Sequence, residues 1–167
     1  ILDAAIDKLI DSGISVVAAA GNSACDACQR SPSSSSRAII VGASDKEDRR
    51  AKFSNYGKCI TLFAPGCNII AASVPFTPKS MFSPAPGQFL KSSDVVKQKH
   101  PEDRYVVTSG TSFAAPFVSG SMALMLARNA SFYPTDLRER LLNGSQWNAL
   151  KADSLNNSPN LLLQLPF

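Results

Sequence analysis

The sequence predicts an α/β fold in which helices cover both faces of a parallel sheet. Short, almost continuously apolar segments, such as residues 15–19 and 39–43, have the composition of strands buried on both faces. Segments with helically spaced apolar residues lie between or after them, as in folds with a parallel sheet. The 167 residues are 44% hydrophobic and 18% charged, a composition that supports a globular core.

The first half of the chain predicts one helix and two clear strands. Apolar residues recur at helical spacing in the first ten residues, and Gly13 is expected to end this helix. A strand over 15–19 follows, then a polar loop and a strand over 39–43. Apolar segments over 59–64 and 69–72 complete this half.

The second half predicts a strand over 105–108 and two helices. The first helix is built from small residues and extends to about Arg128. The second begins after Pro134, with Thr135 as the predicted N-cap and Asp136 complementing the helix dipole. Gly144 is expected to follow its end.

The most informative segment is GTSFAAPFVSG, residues 110–120, which places Ser112 between a strand and a helix. A serine at a helix N-terminus has an exposed hydroxyl and a free backbone N–H. One residue can therefore attack a carbonyl carbon and also donate a hydrogen bond to the resulting oxyanion. Ser112 is the predicted nucleophile; the alternative is an ordinary turn whose serine only caps the helix.

A second segment, VVAAAGN, ends the strand over 15–19 with Gly21 and Asn22. Open α/β sheets usually place their sites at the carboxyl ends of strands. The carboxamide of Asn22 can donate two hydrogen bonds, so Asn22 is predicted to be the second oxyanion donor. Taken alone, Gly-Asn is mainly a turn signal.

These two segments, with FSNYG and LFAPG between them, resemble the subtilisin-like serine peptidases, most closely the proteinase K branch. The likeness extends over nearly the whole chain and implies that Ser112 is the nucleophile and Asn22 the oxyanion donor. It also implies that residues 1–167 are the C-terminal part of a catalytic domain. Phe117 replaces the histidine that commonly follows the proline of the serine motif, and it is not a triad position.

The resemblance places the aspartate and histidine of the catalytic triad before Ile1. The only histidine, His100, lies in the charged sequence KQKHPED and is interpreted as a solvated loop residue. A serine hydroxyl without a general base is a poor nucleophile at neutral pH. The chain alone is therefore expected to be inactive, and the upstream half of its own catalytic domain is a predicted partner.

The resemblance further assigns one wall of the primary specificity pocket to Ala19, Ala20 and Gly21. It places Arg30 near the base of that pocket, where relatives commonly carry an aromatic residue. An acidic substrate side chain could pair with this guanidinium. The alternative is that Arg30 faces solvent or pairs with Asp26.

The four cysteines bear on the cellular compartment. Cys28 and Cys59 match a disulfide of proteinase K relatives, and such bridges imply an extracellular or secretory location. The pairing of Cys25 and Cys67 stays open, because connectivity cannot be deduced from sequence. The alternative is four free thiols in a cytosolic protein.

No metal ligand is assigned. Proteinase K relatives bind calcium through backbone oxygens and an aspartate, but here Thr61 occupies the aspartate position and Ser36 replaces a proline. Calcium prefers several oxygens, including anionic ones. The loss of the carboxylate argues against that particular site. The resemblance leaves open a calcium site elsewhere in the intact domain.

The remaining predictions concern partners. The net charge of +4 comes from scattered basic residues, so no nucleic-acid partner is predicted. No run of about 18 apolar residues is present, so no membrane partner is predicted. Residues 75–104 form a predicted loop insertion, either a tolerated surface loop or a flap beside the active site.

The predicted function is that of a serine endopeptidase acting on protein or peptide substrates. The alternative is a catalytically silent relative that binds a protein partner through the same cleft. A small-molecule-binding α/β domain would need a glycine-rich phosphate loop after the first strand, and residues 20–23 do not supply one.

Overall fold

The computed structural model describes residues 2–72 and 105–165. It contains two compact units, one formed by Ile1–Cys67 with Gly110–Phe167 and the other by Asn68–Ser109. The insertion predicted over residues 75–104, including His100, lies outside the described residues, so the insertion and the interpretation of His100 as a solvated residue stay predictions.

The helices and strands follow the predicted order, with short strands added near the C-terminus. In chain order they are α1 (Leu2–Asp11), β1 (Val17–Ala19), β2 (Ile39–Ser44), β3 (Leu62–Pro65), β4 (Ile69–Ala72), β5 (Tyr105–Thr108), α2 (Thr111–Arg128), α3 (Pro134–Gly144), β6 (Gln146–Trp147) and β7 (Leu161–Leu162). Short 3-10 turns cover Ala27–Gln29 and Ala152–Ser154.

The larger unit contains a five-stranded sheet in the order β1-β2-β3-β7-β6. The pairs β1–β2, β2–β3 and β3–β7 are parallel, with Val17 opposite Ile39 and Val41 opposite Leu62. Only the last pair, β6–β7, is antiparallel. The carboxyl ends of β1, β2 and β3 therefore lie along one edge of the sheet.

Alternating side chains of the sheet enter two cores, one on each face. On one face, Val41 and Leu62 pack with Val118 and Met122 of α2 and with Leu137 of α3. On the other face, the core includes Ile40, Phe63 and Ile6 of α1. Helices thus cover both faces of the sheet, as the apolar composition of its strands predicted.

The smaller unit departs from the predicted parallel pairing. Here β4 and β5 form a separate two-stranded sheet and pair in antiparallel register, with Ile69 opposite Thr108. Both strands are short and apolar, and such a composition does not distinguish the two pairings.

Helix α3 corrects the predicted cap. Its N-cap is Tyr133, and Pro134 occupies the first turn, so Thr135 is already helical. Proline favours the first helical position because its missing N–H has no intrahelical acceptor there. Gly144 is the last residue of the helix and does not follow it.

Within the described ranges, no helix is long and apolar enough to span a membrane.

Candidate active site

The side chain of Asn22 is oriented by Thr111, the first residue of α2. The Oδ1 atom of Asn22 accepts hydrogen bonds from the backbone N–H and the hydroxyl of Thr111, both at 2.9 Å. The Thr111 hydroxyl in turn accepts the N–H of Gly21 at 3.1 Å. Since a backbone N–H can only donate, the atom of Asn22 facing Thr111 must be its oxygen. The Nδ2 group is left to donate elsewhere.

Ser112 is exposed and occupies the second position of α2. The first backbone N–H groups of an α-helix have no intrahelical acceptor, and the helix dipole makes this end partially positive. The N-cap is Gly110, so the interpretation of Ser112 as a simple capping residue is wrong. The structure thus places the exposed serine directly after Thr111, which binds Asn22.

A close backbone contact holds the turn before Ser112. The N–H of Gly110 donates to the carbonyl of Gly66, which follows β3, at 2.8 Å. A Cβ atom at Gly66 would lie 2.5 Å from the Cβ of Ala43 and 3.0 Å from the carbonyl oxygen of Gly110. A side chain at Gly66 would therefore push the serine turn away from the sheet.

The three residues assigned to the pocket wall continue from β1. Ala19 is the last residue of the strand, and Ala20 is buried while its N–H donates to the Val41 carbonyl at 2.9 Å. The carbonyl of Ala20 accepts the hydroxyl of Ser33 at 3.1 Å. Gly21 has φ of +98°, a conformation that favours glycine. These three residues thus form a hydrogen-bonded backbone with little side-chain volume.

Arg30 is exposed at the end of the 3-10 turn. Asp26, its suggested alternative partner, instead caps this turn and accepts the N–H of Cys28 at 2.9 Å. Within the described part of the chain, Arg30 forms no ion pair.

The roles of Thr111 and Asn55 were not predicted from the sequence. Asn55 lies in FSNYG and is 2% exposed. Its Oδ1 accepts the N–H groups of Ser23 at 3.0 Å and of Cys25 at 3.2 Å. The FSNYG motif drew attention to this segment, but the sequence shows neither that Asn55 is buried nor which groups it binds.

Arg50 fixes the segment that carries Asn55. Its guanidinium donates to the carbonyl of Ser54 at 2.6 Å and to the carbonyl of Ser154 at 2.7 Å. It also lies 5.2 Å from the centre of the Tyr56 ring. Burial lowers the pKa of Arg50, but an arginine remains protonated at neutral pH. The contacts join the segment to the C-terminal part of the chain.

The structure joins Cys28 and Cys59 in a disulfide, with their Cα atoms 5.3 Å apart. Cys25 and Cys67 are free thiols. The Cys25 thiol lies 3.4 Å from Oδ1 of Asn55. Burial raises the pKa of the Cys67 thiol, and the nearby carboxylates of Asp45 and Glu47 raise it further. A raised pKa keeps this thiol protonated and weakly nucleophilic at neutral pH.

Thr61 does not fit the calcium ligand set that the resemblance implies. Its hydroxyl oxygen accepts the N–H of Ile40 at 2.9 Å, and the residue is 9% exposed. It supplies a sheet contact and no carboxylate. The described residues also contain no group of three or more histidine, cysteine, aspartate or glutamate side chains placed to hold a metal ion.

Comparisons with known proteins agree with this architecture. Residues 2–161 match the model of the subtilase family. The chain is 38% identical over 166 residues to an extracellular serine proteinase of Thermus sp. (strain Rt41A), covering 99% of this chain. It is 33% identical over 172 residues to the subtilisin-like serine protease Pen c 2 of Penicillium citrinum, covering 96% of this chain.

A solved structure gives the same result. The crystal structure of a cold-adapted subtilisin-like serine proteinase matches with a TM-score of 0.78 and 32% identity, over 99% of this chain and 50% of that one. The chain spans 34% of the Thermus protein and 32% of the Penicillium protein. The predicted α/β fold and the resemblance to subtilisin-like peptidases are confirmed.

Proposed function

Because the chain belongs to the subtilase family, we propose that it is the part of a serine endopeptidase domain that carries the nucleophile and the oxyanion donors. The observation that carries this proposal is the placement of exposed Ser112 directly after Thr111, whose N–H and hydroxyl both bind Asn22 Oδ1. This arrangement leaves the Nδ2 group of Asn22 and the N–H of Ser112 as two donors at one helix N-terminus.

In the proposed mechanism, Ser112 Oγ attacks the carbonyl carbon of the scissile peptide bond. A histidine supplied by an upstream part of the protein, and oriented by an upstream aspartate, removes the hydroxyl proton and later returns it to the leaving amine. The negative charge that develops on the carbonyl oxygen is stabilised by Asn22 Nδ2 and the Ser112 N–H. Both donors are fixed before the substrate arrives, so little reorganisation is needed.

The upstream part would also complete the sheet. Among the described strands, β1 pairs only with β2, so its other edge presents unpaired backbone groups. Large apolar side chains near this edge and on α2 are exposed, among them Leu9, Ile14, Phe117 and Leu124. The relatives are roughly three times as long as this chain, which leaves room for such a part. The chain alone is therefore expected to be inactive.

The disulfide and the exposed Arg30 support two finer proposals. The Cys28–Cys59 bridge needs an oxidising compartment, which supports secretion. Arg30 is exposed and forms no ion pair within the described residues; together with the position that the resemblance gives it, near a pocket wall of Ala19, Ala20 and Gly21, this supports a preference for Asp or Glu before the scissile bond.

The proposal is tested by measuring hydrolysis of a denatured protein by the intact protein. Ser112→Ala should lower turnover by about 10⁶-fold, a magnitude taken over from subtilisin. Ser119→Ala is the matched control, because Ser119 is an exposed serine on the same helix whose hydroxyl, among the described residues, binds only the Ala115 carbonyl of its own helix. Its turnover should equal that of the parent.

Two outcomes would overturn the proposal. Equal activity of the Ser112→Ala and parent proteins would place the nucleophile elsewhere. An intact protein that binds protein ligands and hydrolyses none would establish the catalytically silent alternative.

A further inference from the structure

The loop that carries Asn22 is attached to the buried carboxamide of Asn55 on both sides of Asn22. Before Asn22, the Nδ2 group of Asn55 donates to the carbonyl of Ala20 at 2.7 Å. After Asn22, Oδ1 of Asn55 accepts the N–H groups of Ser23 and Cys25 at 3.0 and 3.2 Å. One side chain therefore fixes the backbone that enters and leaves Asn22.

The backbone of the same segment adds further contacts to the loop. The N–H of Asn55 donates to the carbonyl of Gly21 at 2.9 Å, and the N–H of Tyr56 donates to the carbonyl of Cys25 at 3.0 Å. The N–H of Ala24 donates to the carbonyl of Phe53 at 2.9 Å. The FSNYG segment, residues 53–57, thus forms hydrogen bonds along the length of the loop over residues 21–25.

Gly21 shows how closely the carboxamide fits. A Cβ atom at Gly21 would lie 2.5 Å from Asn55 Nδ2, and the φ of +98° already disfavours a side chain. The carboxamide therefore occupies the space that a side chain at Gly21 would need. A shift of Asn55 would move the backbone next to Asn22.

We propose that Asn55 is the positioning residue of the oxyanion donor. Asn55 does not reach the substrate; it holds the backbone of Asn22 so that Nδ2 points at the developing oxyanion, while Thr111 fixes the rotation of the amide. This inference rests on the proposed function of Asn22. Misplacement by about 1 Å costs about 10²-fold in rate, so the contribution should be measurable.

The test is a double-mutant cycle in the intact protein, with kcat and KM measured on a peptide substrate. Asn55→Ala should lower kcat by about 10²-fold with KM changed by less than about threefold. In the Asn22→Ala background, the same substitution should lower kcat by less than about threefold, because the donor it positions is already absent.

Asn160→Ala is the matched control. The carboxamide of Asn160 ties another loop in the same way, accepting the N–H of Leu150 and donating to its carbonyl, both at 2.8 Å. Its removal should lower Tm and leave kcat within about threefold of the parent. An Asn55→Ala protein whose kcat matches that of Asn160→Ala, or losses that multiply fully in the double mutant, would overturn the proposal.

Two further measurements keep the proposal testable. If Asn55→Ala does not fold, Asn55→Ser retains a smaller polar group and enters the same cycle. If the parent shows no turnover that depends on Ser112, the proposed function fails, and the positioning role is then decided by amide hydrogen exchange. Asn55→Ala should accelerate exchange at Ser23 and Cys25, whereas Asn160→Ala should not. Unchanged protection at both amides would refute it.

Discussion

The loop carrying Asn22 and the segment carrying Arg30 lie close together in sequence but are held by different means. The first is bound by buried neutral groups, the carboxamide of Asn55 and the hydroxyl of Thr111. The second has one such buried neutral bond, from the Ser33 hydroxyl to the Ala20 carbonyl. It differs in being bound also to α1 through Asp3, a half-buried carboxylate that accepts the hydroxyls of Ser31 and Ser34 at 2.6 and 3.1 Å.

This difference in how the two regions are held predicts that they affect different properties of the enzyme, turnover in one case and substrate preference in the other. Buried neutral hydrogen bonds are not screened by salt and do not titrate, so the oxyanion site should remain fixed over a wide range of conditions. A charged contact at the surface is weak and adaptable. We expect substitutions in the first region to change turnover and substitutions in the second to change substrate preference.

Among substitutions in these two regions, the largest expected effect follows from removing the oxyanion donor. Asn22→Ala in the intact protein should lower kcat by about 10²- to 10³-fold, a magnitude known from the corresponding asparagine of subtilisin, while KM changes little. Steady-state kinetics on a peptide substrate measure both quantities. Weaker substrate binding with kcat preserved would show that Asn22 only shapes the turn.

The second prediction concerns the disulfide, which lies between the two regions. Replacing Cys28 and Cys59 by serine should lower the free energy of unfolding by about 3 to 4 kcal/mol, because the bridge closes a loop with a sequence separation of 31. Denaturant unfolding of the intact protein measures this loss. A double variant as stable as the parent would show that hydrogen bonds alone hold the loop.

A smaller effect is expected at Arg30. Its replacement in Arg30→Tyr should remove a preference for Asp or Glu before the scissile bond and leave kcat on neutral peptides unchanged. Since an exposed ion pair contributes about 0.2 to 1 kcal/mol, the lost preference is at most about fivefold. Cleavage of a peptide library measures it, and an identical profile in both proteins would leave Arg30 a surface residue.

The smallest effect is the pH response of Asp3. The hydrogen bond from the Ser31 hydroxyl holds the pKa of this carboxyl below its usual value of 3.8, and the bond from the Ser34 hydroxyl lowers the pKa by a smaller amount. The contact is therefore fully present above about pH 3.8 and is lost as pH falls through the lower folded-state pKa. Hydrogen exchange of the Ser34 and Ser35 amides, corrected for intrinsic rates, should therefore accelerate as the pH falls below about 3.8.

The amides of Ser23 and Cys25 should show no such change, because their acceptor does not titrate. Asp3→Asn is the control and should abolish the pH response at Ser34 and Ser35. Equal acceleration at both pairs of amides would contradict the distinction between the regions.

Local patterns predicted much of this fold. The apolar spacing of α1, the continuous apolar runs of β2 and the Gly-Thr-Ser turn before α2 are each visible within a few residues. The antiparallel pairing of β4 with β5 and the two-residue strands β6 and β7 were not predicted, because pairing depends on distant partners and two residues carry no period.

The residues of the candidate site likewise fall into two groups, those that local patterns predicted and those that they did not. Ser112 and Asn22 stand out because their neighbours form recognisable turns. Asn55 and Thr111 do not, since Asn55 contacts residues about thirty positions away and Thr111 contacts Asn22 89 positions away. Their roles exist only once the sheet brings the ends of β1 and the start of α2 together.

The central claim, that Ser112 is the nucleophile, is tested most directly with a fluorophosphonate probe, which bonds covalently to an activated serine. In the intact protein the probe should modify Ser112, as located by peptide mapping. Ser112→Ala should abolish labelling, and Asn22→Ala should slow it. Labelling of another residue, or none in an intact protein with its upstream histidine, would contradict the account.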